Sequence, residues 1–223
     1  MKVTIIEGRK IDDYDKSAKI LVDVYRSTST MPIMLKNGAQ RIIPFSMLKE
    51  ARELKKRNPE YIIAGERYGF KIPGFDMSNS PHESAHIDLS GKTIIFSSTN
   101  GTKVLEKIKE SKVIYVASFV NFSSTCSDII DSGIDKIDVI LSGRPDGNAD
   151  EDLYFGLAVK EMLEEGVDRT DHYITKTRQG SGTKRLTMIG GGRDVTYSLK
   201  KDFANFPVIY RDGNIIRKYP EQT

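Results

Sequence analysis

The chain has 223 residues, 38% hydrophobic and 29% charged, with a formal net charge of +3 and a pI of about 8.8. This composition excludes a disordered chain, and the charge is too mild for a nucleic-acid binder. The single cysteine, Cys126, excludes an intrachain disulfide, and no apolar run approaches the ~20 residues of a membrane span.

The opening MKVTIIEGRK is charged too soon for a secretory signal, so the cytoplasm is the expected compartment. β-Branched runs then predict strands at 2–6, 19–24, 41–45, 61–66, 92–98, 112–118 and 136–142. Helical spacing lies between most of them, at 29–37, 47–57, 102–110, 123–131 and 151–165. Such alternation predicts an α/β fold: three layers, a largely parallel sheet and helices on both faces. From 167 the pattern weakens. TRQGSGTKRLTMIGGGR reads as flexible loops, followed by a short helix near 194–201. PVIYRDGNIIRKY closes the chain as a C-terminal hairpin on an Asp212-Gly213 turn. With no linker or fixed-period repeat, one domain over 1–223 is expected.

Two motifs invite a wrong chemistry. HESAH at 82–86 matches the zinc-protease pattern H-E-x-x-H. A zincin also needs a long helix and a third ligand, but Ser90 and Gly91 follow closely and His172 lies far downstream. Ser80, Pro81 and Glu83 instead make a capping box with proline at the first helical position, which predicts a single capped turn. Gly91-Lys92-Thr93 precedes a strand, whereas a phosphate-binding P-loop follows one.

Chemistry concentrates at the strand ends. The run ILVDV leads into Arg26, Ser27, Thr28 and Ser29; IIFSS leads into Thr99, Asn100, Gly101 and Thr102; IYVAS leads to Asn121. In a parallel sheet these loops share one edge, and helix N-termini there form an anion site. The plainer alternative makes the same residues helix caps. Acids share the edge: Asp23 inside an apolar run, Glu66 beside Arg67, Asp76, and Glu151 with Asp152. Structural ion pairs would explain some of them. Several carboxylates around an anion site make sense with a hard cation such as Mg²⁺ between them.

VDVYRSTST, GERYGFKIPGFDMSNSPHE (with Asn79), SSTNGT, Ser118–Asn121 and EDL at 151–153 together resemble the 2-phosphosulfolactate phosphatase family of coenzyme M biosynthesis. The chain departs from the expected pattern at DVYRSTST, at SSTNGT and at SGRPDGNAD, which carries Arg144 and Asp146. The resemblance implies a Mg²⁺-dependent phosphatase acting on a small polyanionic phospho-acid, most simply 2-phosphosulfolactate. Phosphoglycolate, phospholactate and a non-catalytic anion-binding domain stay open as alternatives, as does a homo-oligomer. In the enzymatic reading Asp23 and Asp152 hold the metal, and Glu66 and Asp76 serve as further carboxylates or proton carriers. Arg26 and Arg67 face the substrate's charge. Tyr25 stands two residues after Asp23, so the D-x-D pair of haloacid-dehalogenase phosphatases is absent. Metal-activated water is the first choice of nucleophile and an aspartyl-phosphate on Asp23 the second.

Overall fold

The computed structural model describes residues 1–10, 14–144, 147 and 149–220; Asp146 lies outside them. Elements are numbered in chain order. Strand β1 (Lys2–Glu7) pairs with β8 (Lys136–Leu141), then come β2 (Ala18–Val22) and β7 (Ile114–Val116), all parallel. The hairpin of β9 (Val208–Arg211) and β10 (Asn214–Arg217) follows, antiparallel to both neighbours. Beyond it lie β3 (Arg41–Pro44), β6 (Thr93–Ser97) and β4 (Ile62–Arg67), mutually parallel, with β5 (Phe70–Lys71) turned back on β4. The C-terminal hairpin therefore sits inside the sheet, where Ile215 opposite Ile42 joins its two parallel halves.

That insertion decides where the strand ends meet. Two antiparallel steps and a third make the halves run in opposite senses along the ladder. Over the five steps from β2 to β6, a twist of ~20–25° per step accumulates to about 100–125°. The carboxyl ends of β2 and β6 are thereby turned toward each other, and Gly101, beyond β6, packs against Asp23 and Ser27, beyond β2.

Helices cover both faces, as the alternation predicts. On one face α1 (Ser27–Lys36) and α4 (Gly101–Ile108) share a core with Leu21, Val116 and Ile140 of one half and Ile42, Ile94 and Phe96 of the other. On the opposite face α5 (Phe122–Asp131) and α6 (Asp150–Glu165) pack on Ile20, Val22 and Val139. Phe155 of α6 is fully buried there, a contribution of about 1.5–3 kcal/mol. Gly166, left-handed at φ 72°, ends α6. Helix α2 (Leu48–Arg57) lies over β4 and β6 through Ala51, against Ile63 and Ile95. Helix α3 is the single turn Pro81–Ser84, and Ser80 accepts the Glu83 N–H at 3.0 Å.

The expected loops after 167 are two helices instead, α7 (Thr170–Gln179) and α8 (Ser181–Met188), and the short helix expected near 194–201 is α9 (Gly192–Ser198). The inward positions of α7 are Thr170, Tyr173 and Thr177, and those of α8 are Gly182 and Leu186. Threonine can face a core when its hydroxyl is satisfied locally, as Thr177 Oγ1 is by the Tyr173 carbonyl at 2.8 Å. Among the described residues no helix is long and apolar enough to cross a membrane.

Candidate active site

The converging strand ends open a cleft of about 210 Å³. Of the residues singled out from the sequence, Asp23, Arg26, Glu66, Asn79, Thr99 and Asn100 line it. The opposite wall comes from Gly182, Arg185 and Leu186 of α8 with Ile189 beyond it, and Tyr25, Tyr68, Gly69 and Arg144 complete the lining. Sequence reasoning missed that second wall, although the basic run TKR at 183–185 was a signal for it.

Asp23 stands one residue beyond β2, with 7% of its surface exposed. Burial pushes its pKa up; the Ser27 hydroxyl opposes this, the Glu66 charge adds to it, and Arg144 and the Gly101 N–H again oppose it. Glu66 closes the floor by tying loops together. Its Oε1 accepts the Thr99 N–H at 2.6 Å, and its Oε2 accepts the Gly69 N–H at 2.8 Å and the Thr99 hydroxyl at 3.0 Å. Thr99 Oγ1 in turn accepts the Tyr68 N–H at 3.0 Å. Asn100 Oδ1 accepts from Arg9 at 2.7 Å. Asn79 donates to Ser27 Oγ at 3.3 Å, while its buried Oδ1 has no partner among the described residues.

The Ser27 hydroxyl serves the cleft-lining Asp23 and Asn79, and the hydroxyls after it are turned inward, into the fold. Thr28 Oγ1 accepts the Asp23 N–H at 2.9 Å, and Ser29 Oγ bonds to the Val24 carbonyl and Ser118 Oγ, each at 2.9 Å. A turn with no exposed surface at Ser27–Thr30 must satisfy its polar atoms within the fold. Thr102 likewise bonds to Ser98, and Asn121 bonds across its own loop to the Ser118 N–H and the Val116 carbonyl. The third loop therefore reaches the site only indirectly, through Ser118 on Ser29. Arg67 donates to Ser97 Oγ at 2.9 Å and to the Glu66 carbonyl at 2.8 Å, beneath the cleft; burial lowers its pKa. Asp76 lies outside, on the Ile63 N–H at 2.9 Å and Lys55 at 3.0 Å, and these partners outweigh burial to hold its pKa low.

Asp152, at the start of α6, accepts the Val24 N–H at 2.8 Å and the Gly143 N–H at 3.2 Å. Its neighbour Glu151 pairs with Arg144, and Glu151 Oε2 lacks a hydrogen-bond partner among the described residues. Burial raises the pKa of both acids; Asp152 is pushed well up, further by Glu151 and Asp23, while Arg144 offsets part of the rise at Glu151. The cleft thus has an excess of buried carboxylate. Among the described residues no three His, Cys, Asp or Glu side chains converge to hold a metal ion. Mg²⁺ needs only one or two carboxylates, with water and phosphate oxygens completing its shell. Asp23, the member of this acidic group that lines the cleft, fits such a site, whereas Asp152 stands behind the lining with its oxygens on the Val24 and Gly143 N–H groups.

Comparison with known proteins agrees with the motifs. A family model described as 2-phosphosulpholactate phosphatase matches residues 4–213. The chain is 40% identical over 216 residues to the probable 2-phosphosulfolactate phosphatase of Thermoplasma acidophilum, covering 96% of this chain and 95% of that one. It is 37% identical to the protein of that name from Thermoplasma volcanium, over 96% and 98% of the two chains. It is 33% identical to that of Thermotoga maritima, over 90% and 92%.

Proposed function

The chain belongs to the 2-phosphosulpholactate phosphatase family, and from that premise we propose that it is a Mg²⁺-dependent phosphatase converting 2-phosphosulfolactate to 3-sulfolactate and phosphate. One observation carries the reading. Arg26, Arg144 and Arg185 surround Asp23 and Glu66 in a single small cleft. A phosphate ester that also bears a carboxylate and a sulfonate carries on the order of four negative charges at neutral pH. Three guanidiniums bring N–H donors for its oxygens, and because Arg26 and Arg144 already pair with Asp194 and Glu151, a bound cation would supply the remaining positive charge.

Hydrolysis breaks the bond from phosphorus to the ester oxygen; water supplies the new P–O bond, and a proton goes to the departing alkoxide. Little covalent chemistry is asked of the protein, so positioning and charge do most of the catalysis. Arg26 presents N–H donors to the phosphoryl oxygens. Glu66 fixes the Thr99 and Gly69 loops around the reacting group and keeps its own charge turned to backbone N–H groups. Asn79 Oδ1, buried and without a partner among the described residues, leaves an acceptor beside Ser27 that a water could fill. Mg²⁺ held at Asp23 would offset charge on the phosphoryl oxygens and acidify water at that point. Without a cation there, Asp23 would repel the substrate.

The test is phosphate release from 2-phosphosulfolactate, phospholactate and phosphoglycolate, with Mg²⁺ and with chelator. The expected outcome is Mg²⁺-dependent release, fastest from the sulfonated substrate, and loss by several powers of ten in Asp23→Asn. Orthophosphate binding without hydrolysis of any of the three would replace the reading by a non-catalytic anion-binding domain. Faster release from phospholactate or phosphoglycolate would keep the phosphatase and change its substrate.

A further inference from the structure

Arg26 lines the cleft although only 8% of its surface is exposed. Its Nη1 donates to Asp194 Oδ2 at 2.6 Å, and its Nη2 donates to the Gly69 carbonyl at 2.7 Å. A guanidinium carries five N–H donors in one plane, so two fixed contacts set its orientation and leave three donors. Asp194, on α9, is itself held. Its Oδ1 accepts from the Ser80 hydroxyl and from the His82 N–H at 3.3 Å. Two stretches far from it in sequence, at 26 and 80–82, thus converge on the Asp194 carboxylate with both oxygens in use.

Fold stability does not account for this arrangement. A buried ion pair gains little net energy, because desolvation offsets the attraction. Its larger effect is geometric, since the guanidinium cannot turn without breaking a bond to Asp194 or Gly69. We propose that Asp194 is a positioning residue that holds the Arg26 guanidinium with its remaining donors toward the phosphoryl oxygens. The cap and start of the Pro81–Ser84 turn back it up through the Ser80 hydroxyl and the His82 N–H. The inference rests on the phosphatase reading of the same cleft.

A mutant cycle tests it, with kcat/KM for 2-phosphosulfolactate and the Kd for orthophosphate measured on each protein. Asp194→Asn keeps an acceptor for Ser80 and His82 but loses the charge that holds Arg26. Both kcat/KM and orthophosphate affinity should fall by roughly 10- to 100-fold. The double variant Arg26→Ala/Asp194→Ala, which leaves no unpaired buried charge, should be no worse than Arg26→Ala within about twofold. Added guanidinium should restore part of the activity of Arg26→Ala and none in the double variant. Native orthophosphate affinity in Asp194→Asn, multiplying losses in the double variant, or guanidinium rescue without Asp194 would each overturn the proposal. A wild-type protein that releases no phosphate would sink the phosphatase reading instead, and the orthophosphate cycle would still decide whether Asp194 acts through Arg26.

Discussion

Alanine at Gly101 tests whether Asp23 must stand where it does. Gly101 opens α4, and an alanine there is compatible with a helix. Its Cβ, however, would lie 3.0 Å from Asp23 Oδ2, 3.1 Å from Ser27 Cβ and 3.2 Å from Ser27 Oγ. Comfortable contact begins at about 3.5 Å, so these atoms must yield by roughly 0.3–0.5 Å. Ser27 is fully buried and has no open space to enter, so Asp23 takes most of the shift. Overpacking costs about 1–3 kcal/mol, and replacing a helical glycine returns up to about 1 kcal/mol. A net loss near 1 kcal/mol lowers the melting temperature of a chain this size by about 2–4 °C. Catalysis should suffer more. If a displacement of 1 Å costs about 100-fold, half of that costs roughly tenfold. Steady-state kinetics across a Mg²⁺ titration, with thermal melting on the same preparation, reads both. The expected variant melts slightly early, turns over about tenfold more slowly and needs more Mg²⁺. Native turnover with an unchanged Mg²⁺ midpoint would show that the position of Asp23 is immaterial.

Asp23→Asn should abolish Mg²⁺-dependent turnover while melting no lower than wild type in chelator, because it removes a charge from an overcrowded acidic group; a large drop in melting temperature with normal Mg²⁺ response would make Asp23 a structural ion-pair partner. The raised pKa values of Asp23, Glu151 and Asp152 make the folded chain retain protons that the unfolded chain releases above the usual carboxylate range, so stability falls as pH rises through that window. Acids held low, such as Asp76 and Asp128, are ionised in both states above about pH 5 and add no slope there. In calorimetry the chelated protein should therefore melt higher at about pH 5 than at about pH 7.5, with Mg²⁺ narrowing the gap; melting that climbs with pH over this range would contradict it. His82→Ala and His86→Ala should keep Mg²⁺-dependent activity within several-fold, since their rings pack on Tyr197 at 5.4 Å, away from the cleft lining. Stoichiometric zinc that disappears with either substitution would reverse that reading.

One wall of the cleft could be read from the sequence because strand ends announce themselves. AKILV is buried throughout and ends in a polar turn, and the same holds where TIIFS runs into Thr99 and Asn100. The rule for parallel sheets puts Asp23 and Arg26 at the end of one half and Glu66 and Thr99 at the end of the other, and the twist across the inserted hairpin brings the two ends together. The hairpin inside the sheet was not legible, because two four-residue strands state their own pairing and nothing about the neighbours they separate. The run of hydroxyls at 27–30 shows a different limit. Serine and threonine suit ligand contact and internal capping equally well, and only the burial between the two sheet halves decides for the second.

The other wall was hidden for a reason that belongs to the site itself. Helix α8 comes so close to Glu151 and Arg144 that a Cβ at Gly182 would overlap both side chains. Any side chain there would have to push the ends of Glu151 and Arg144 aside, so glycine suits the position, yet glycine is the residue that a periodicity scan takes for a break. Two residues earlier Gly180 ends α7, and Gly190 and Gly191 separate α8 from α9, so the segment reads as a loop from end to end. The arginine that α8 brings to the cleft, Arg185, is an exposed residue of that helix, and its inward positions are only Gly182 and Leu186. Close approach and charge are what a polyanion site demands of a helix, and both erase the apolar stripe by which helices are recognised. The sequence signal therefore weakens where the wall facing the substrate is built, and the strand ends, which carry a core as well as a site, keep theirs.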